Sequence, residues 1–256
     1  ANHLSRPEVG AARSRLSSKL ASQISNLHTV PAKAFLIEQL RFFAGDEVVS
    51  ALSSYLTDAA LAPATSKTFG MIGTAKAGEA LLSALSVAPA EIQVDLIHNL
   101  GNTGYKQADS ALFKMLETRS RVTQFAALKA LTKLCADALE PIFGEFRKNF
   151  TEPRRSQLNA LQLSYARRLH SCGKTSQGKY IAEQMLQNPD LPGHLRGAAL
   201  KTRVEIDPVS AASAISNGLK DPDDAVFQQA LLSILVLPDD QAATLLAERL
   251  HSESGA

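Results

Sequence analysis

The sequence predicts an all-α fold, specifically a right-handed α–α superhelix (a solenoid) of about seven stacked helical hairpins. Three observations carry that expectation. A short helical phrase returns seven times, roughly every thirty residues; its clearest copies are Thr123–Leu131, Leu195–Leu200 and Val226–Leu231. Apolar residues within and between the copies recur at three and four, the period of one helix face. Ala and Leu dominate an apolar fraction of 45%, while aromatics make up 5% and Trp is absent. Small side chains let helices approach closely, and so few alternating β-branched residues leave little from which to build strands.

Aligning the phrase gives a marker at Lys33, Thr65, Gln93, Gln124, Gln157, Arg196 and Phe227, with intervals of 32, 28, 31, 33, 39 and 31. A fixed period of this size is the mark of repeats that bury their faces only by stacking. Each marker opens a second helix, B. The stripes Ile92, Leu96, Ile97, Leu100 and Leu158, Leu161, Tyr165 show its inner face. An A helix precedes each B helix, with stripes such as Leu81, Leu82, Leu85 and Ile142, Phe143, Phe146. The A helices are expected near 7–26, 46–57, 75–86, 105–117, 137–149, 175–187 and 208–219. The B helices are expected near 32–43, 60–72, 90–100, 120–134, 154–171, 194–205 and 223–236. The resulting units, 7–43, 46–72, 75–100, 105–134, 137–171, 175–205 and 208–236, form one domain over 1–256, closed by a capping helix at 239–251. Gly45, Gly73, Gly101 and Gly173 are read as helix stops, since glycine reaches positive φ without a Cβ clash. Pro31, Pro63, Pro89, Pro153, Pro192 and Pro222 fall at or just before B-helix starts, where a missing N–H costs nothing.

The turn and helix Leu219-Lys220-Asp221-Pro222-Asp223-Asp224-Ala225-Val226, followed by Ala230-Leu231, resembles the HEAT-repeat (armadillo-like) family of bacterial type. Leu195-Arg196 followed by Ala199-Leu200 is similar, and the resemblance covers most of the chain. Where the family carries Arg, this sequence has Gln at 93, 124 and 157 and Phe at 227, so a continuous Arg–Asp ladder is not expected. The long interval through Tyr165–Leu169 and Tyr180–Leu186 looks locally tetratricopeptide-like. The order of repeats also resembles the helical segments of large exported bacterial proteins that carry carbohydrate-active domains. That likeness implies an extracytoplasmic, periplasmic setting, with a cytoplasmic one as the alternative.

The net charge is +2, too small to imply a nucleic-acid or membrane partner. Its distribution is uneven. From Arg147 to Lys179 eight Lys/Arg stand against one acid, a local charge of +7; from Glu205 onward nine acids stand against two bases, a local charge of −7. No apolar run approaches the ~18–20 residues needed to cross a bilayer. Ala1–Gly10 has no signal-peptide core, as expected of a cytosolic chain or of a processed exported one. Two cysteines, Cys135 and Cys172, make neither a disulfide framework nor a metal cage. One turn of axial offset, ~5–6 Å, added to a lateral helix spacing of ~8–10 Å exceeds the ~7 Å that a disulfide spans, so two free thiols are expected.

No catalytic or metal site is expected, and no cofactor. Glu91 and Asp95 lie one turn apart on a B helix, but Glu91 is accounted for by the positive helix N-terminus. The six histidines, 3, 28, 98, 170, 194 and 251, form no His-x-x-x-His pair. Gly70–Gly73 and Gly101–Gly104 lack the preceding strand and the Lys-Ser/Thr ending of phosphate loops. The residues expected to bind a partner are the basic group Arg154, Arg155, Arg167, Arg168, Lys174 and Lys179, with the marker residues Gln93, Gln124, Gln157 and Arg196. Asp95, Lys129, Gln162 and Lys201 adjoin the markers and fit the same groove.

The function expected is a non-catalytic interaction scaffold holding a protein, or an acidic or anionic polymer, along its concave B-helix face. Two alternatives come from other helical-repeat proteins. A nucleic-acid binder or DNA-glycosylase-like protein would need a strongly positive groove and gripping aromatics. A HEAT-like chromophore lyase or chaperone has no residue-specific support.

Overall fold

A computed structural model describes residues 10–254, with side chains as far as 247. The start of the first expected helix, 7–9, lies outside the described residues, as do His3 and the side chain of His251. Among the described residues the chain is all helix, with no strand. It divides into two units, one running through Ala136 and the other from Asp137.

The first unit contains α1 (Gly10–Gln23), α2 (Val30–Leu40), a short α3 (Val49–Leu52), α4 (Ala62–Ile72), α5 (Ala75–Leu85), α6 (Ala90–Thr103), α7 (Asp109–Leu116) and α8 (Arg121–Lys133). The expected A helix over 46–57 is broken: 3₁₀ turns at Asp46–Val48 and Ser53–Thr57 flank the four residues of α3. Its apolar spacing survives that change, because Val48, Val49, Leu52 and Leu56 are all buried. α2 packs on α4, α4 on α6 and α6 on α8, while α5 and α7 pack against the helices that follow them. The core is aliphatic: Ile37, Leu40, Leu81, Leu96, Ile97, Leu100 and Leu128 have no exposed surface, and Phe69 is the one aromatic as deeply enclosed. Each such side chain contributes about 1.5–3 kcal/mol relative to standing in water.

Helix starts follow the expected chemistry. Thr29, Thr74 and Ser120 accept from the backbone N–H three residues on, each at 3.3 Å. This satisfies donors that the first helical turn cannot. Two glycine assignments need correction. Gly101 does not stop α6; the helix continues to Thr103, and Gly104 at φ 73° ends it. What Gly101 provides is proximity, since a Cβ there would lie 2.7 Å from the Ala130 Cα on α8. Gly45 sits at φ −128°, which any residue can adopt. Gly73 and Gly173 are left-handed, at φ 66° and 79°.

The second unit contains α9 (Glu140–Asn149), α10 (Arg154–Ser171), α11 (Thr175–Leu186), α12 (Gly193–Ile206), α13 (Ala212–Gly218), α14 (Asp224–Ile234) and α15 (Asp239–Ser254). α10, α12 and α14 pack in series, and α9, α11 and α13 each pack on the helix that follows. Phe143 and Tyr165 join α9 to α10 with ring centroids 5.9 Å apart. Leu158, Leu169, Leu200, Ile215 and Val226 complete a buried apolar seam.

Neither cysteine is the free thiol that the spacing argument predicts: Cys135 and Cys172 are both disulfide-bonded. The axial and lateral spacings add in that way only for positions on straight, parallel helices. Cys135 instead lies beyond the end of α8 with φ 56°, so the chain has already left the helix axis, and Cys172 is the C-cap of α10.

Candidate functional site

Two of the marker glutamines, Gln93 and Gln124, bond to the turns of their own hairpins. Gln93 Nε2 donates to the Ala88 carbonyl at 3.1 Å, tying the start of α6 to its own approach turn. Gln124 is buried, and its Nε2 donates to the carbonyls of Leu116 and Thr118 at 2.9 and 2.7 Å. Its Oε1 accepts from Arg121 at 3.1 Å. The amide at this position thus stitches the A-to-B turn, and Gln124 offers little surface to a groove. Gln157 is exposed at the start of α10, and there Arg155 does the equivalent work, its Nε donating to the Phe150 carbonyl at 3.1 Å. Arg196 reaches the next turn along, with Nη1 and Nη2 on the two Asp221 carboxylate oxygens at 2.7 and 3.0 Å. One rung of an Arg–Asp ladder therefore exists where the sequence retains Arg.

The basic group does not form the continuous strip that its density in sequence suggests. Arg167 pairs with Glu205 at 2.8 Å, Lys174 with Asp137 at 2.6 Å and Lys179 with Asp207 at 2.7 Å. Two of these acids, Glu205 and Asp207, begin the acidic C-terminal stretch. They stand one repeat further along the chain, so stacking lays them beside the bases. Asp207 is held well below the usual carboxylate range by hydrogen bonds from Lys179 and Ser210. Burial pushes Asp221 up, but bonds from Arg196 and the Asp223 N–H outweigh it and carry its pKa down. Arg203, absent from the expected set, is buried on α12; its Nη2 donates to Ser210 O and Oγ at 3.1 and 2.8 Å, and its Nε faces Glu183 at 3.6 Å.

Arg154, Arg155 and Arg168 lie on α10, the first half-exposed and the others exposed. Beside the α10 start is the feature that sequence reasoning passed over. An open cleft of about 580 Å³ is lined by Arg147, Lys148, Glu152, Arg155, Asn159 and His194, among others. Arg147 is half-buried, its Nε donating to Asn159 Oδ1 at 3.2 Å and its Nη2 to Gln162 Oε1. Both amides are buried on α10. Burial presses the Arg147 pKa below its ordinary value, but a guanidinium stays charged. The available signal was the pair Asn159 and Gln162, two amides at i and i+3 beside an apolar stripe; buried polar groups need a partner, and Arg147 supplies it.

Glu91 and Asp95 lie on the first turns of α6 and contact no other acid or base among the described ion pairs. His170 Nδ1 stands 3.1 Å from Thr175 Oγ1. Among the described residues no three His, Cys, Asp or Glu side chains gather as a metal site would require, and no helix is long and apolar enough to cross a membrane. Compared with known proteins, the chain is matched by no family model and by no curated protein.

Proposed function

We propose that the chain is a HEAT-like interaction scaffold, a non-catalytic α–α superhelix that grips an extended protein segment along its B helices. The observation that carries this reading is that successive B helices of the first unit bond to one another about one repeat apart, each time by a different donor. Thr68 on α4 donates to the Ile37 carbonyl on α2, Asn99 on α6 to Ser66 on α4, and Lys133 on α8 to Asn102 on α6, at sequence separations of 31, 33 and 31. Serial stacking of equivalent helices makes a broad surface from many modest contributors, which suits binding by area. The pairing of Arg167, Lys174 and Lys179 with carboxylates weighs against a phosphate-backbone groove, which needs unneutralised bases. Disulfide-bonded cysteines fit an oxidising compartment and support an exported setting.

Selection from a random peptide display library, followed by hydrogen exchange on the complex, tests the reading. Enriched peptides should protect α4, α6, α10 and α12 more than α5, α7, α9 and α11. Failure to enrich any peptide, or protection confined to the second group, would refute it.

A further inference from the structure

Arg147, which lines the α9–α10 cleft, differs from the ion-paired cations of the second unit. Arg167, Lys174, Lys179, Arg196 and Arg203 all face a carboxylate. Arg147 is held by two neutral amides, Asn159 and Gln162, and no described carboxylate comes within ion-pair distance of it. Only its Nε and Nη2 are engaged by the protein, so Nη1 has no described acceptor. Amide oxygens orient a guanidinium without neutralising it, which leaves its charge and part of its planar fork for a ligand.

The cleft around it carries a small positive excess. Arg147, Lys148 and Arg155 line it against Glu152 and Asp190, three charges against two. Glu152 is already turned to its own helix start, accepting from Ser156 N at 3.3 Å and Ser156 Oγ at 2.7 Å. α12 opens onto the same space through Pro192, His194 and Leu195, adding the positive end of a fourteen-residue helix to side chains that already favour an anion. An excess of one charge suits a single carboxylate, whereas a polyanion would meet Glu152 and Asp190. The lining residues include no Phe, Tyr or Trp on which a sugar face could stack.

We infer that this cleft is a carboxylate subsite, with Arg147 as its anchor, that takes one Glu or Asp side chain of a bound peptide. The inference rests on the scaffold reading and adds to it the chemistry of one contact point. Fluorescence anisotropy tests it, using a labelled Gly/Ser peptide with a central Glu and its Gln counterpart. The Glu peptide should bind more tightly than the Gln peptide by about tenfold, as a charge-assisted pair does over a neutral one. Arg147→Gln should erase that difference. Because Arg147 also braces α10, Lys148→Glu is the second variant: Lys148 is exposed with no described contact, and its reversal should weaken the Glu peptide about fivefold at low salt and leave the Gln peptide unchanged. Equal binding of the two peptides by the native protein overturns the subsite, and so does an undiminished preference in Lys148→Glu. Preferential displacement of the peptide by oligogalacturonate or polyphosphate overturns the peptide assignment. Each of these results leaves the scaffold reading to its own display test.

Discussion

Between α4 and α6 the tie is Asn99 donating to Ser66, an amide to a hydroxyl at 3.2 Å; between α10 and α12 it is Arg167 against Glu205, a guanidinium to a carboxylate at 2.8 Å. The contrast runs through both units. The first joins its B helices by bonds to neutral acceptors (Thr68 to Ile37, Asn99 to Ser66, Lys133 to Asn102) and by glycine-permitted contact, as where Gly101 meets Ala130. The second relies on ion pairs: Lys179 and Arg196 reach carboxylates beyond their own hairpin, and Arg203 reaches Glu183 within its own. Similar helix order thus rests on two chemistries that respond differently to their surroundings. Neutral bonds and close packing are indifferent to salt and pH, while charge pairs depend on both.

The largest effect should be common to the two units and so tests what they share. Leu96→Ala in the first and Leu200→Ala in the second each empty a site with no exposed surface, and each should cost about 2–5 kcal/mol by chemical denaturation. A small effect in one unit alone would mean that its seam is not built as described. The next separates them. Arg196→Met leaves Asp221 without its partner where both side chains are only 17% exposed, and should cost up to about 3 kcal/mol. Gln124→Ala should cost less, about 1–3 kcal/mol, for the turn carbonyls that lose their donor. Its cost should be the same in low and high salt, whereas that of Arg196→Met should shrink as salt rises.

Acidification gives the finest test. Asp207 and Asp221 have folded pKa values below their unfolded ones, so the stability they contribute is present above the ordinary Asp value of about 3.9 and fades as pH falls through the folded values. Hydrogen exchange followed downward from about pH 4 should therefore loosen α11 to α14 before α4 to α8. Glu47 provides an internal check: burial raises it, but bonds from the Gly45 N–H and Ser17 outweigh this and lower its pKa. The α1 contact in the first unit should accordingly weaken over the same range. Loss of protection in α4 to α8 first would contradict the division.

Much of this was legible in the sequence, and the rest was hidden for identifiable reasons. Apolar spacing places the B helices well: α10 spans 154–171 as expected, α4 starts two residues later than expected and ends where expected, and α8 is one residue shorter at each end. Spacing alone does not distinguish an α-helix from linked 3₁₀ turns, so 46–57 was read as continuous. The +7 and −7 stretches are separate in sequence, but Arg167 and Glu205 stand 38 residues apart and Lys179 and Asp207 28 apart, close to one repeat. Read in register, opposite charges at that distance predict pairs instead of a strip. The marker position at the opening of a B helix suggests a groove residue at Gln124, yet two turn carbonyls draw it in. Cys135 could not be placed because its left-handed φ is unusual for a residue with a Cβ.

Arg196 sits on one hairpin but organises the next. Asp221 accepts from the Asp223 N–H at 3.0 Å while holding the guanidinium, and Asp223 in turn accepts from the Ala225 N–H, launching α14. The seam at which a repeat could be excised or grafted therefore differs from the seam suggested by its loops. A segment cut before α13 would arrive in a new host without the arginine that shapes its own entrance. One cut before α12 would bring that guide along, and should transplant more readily.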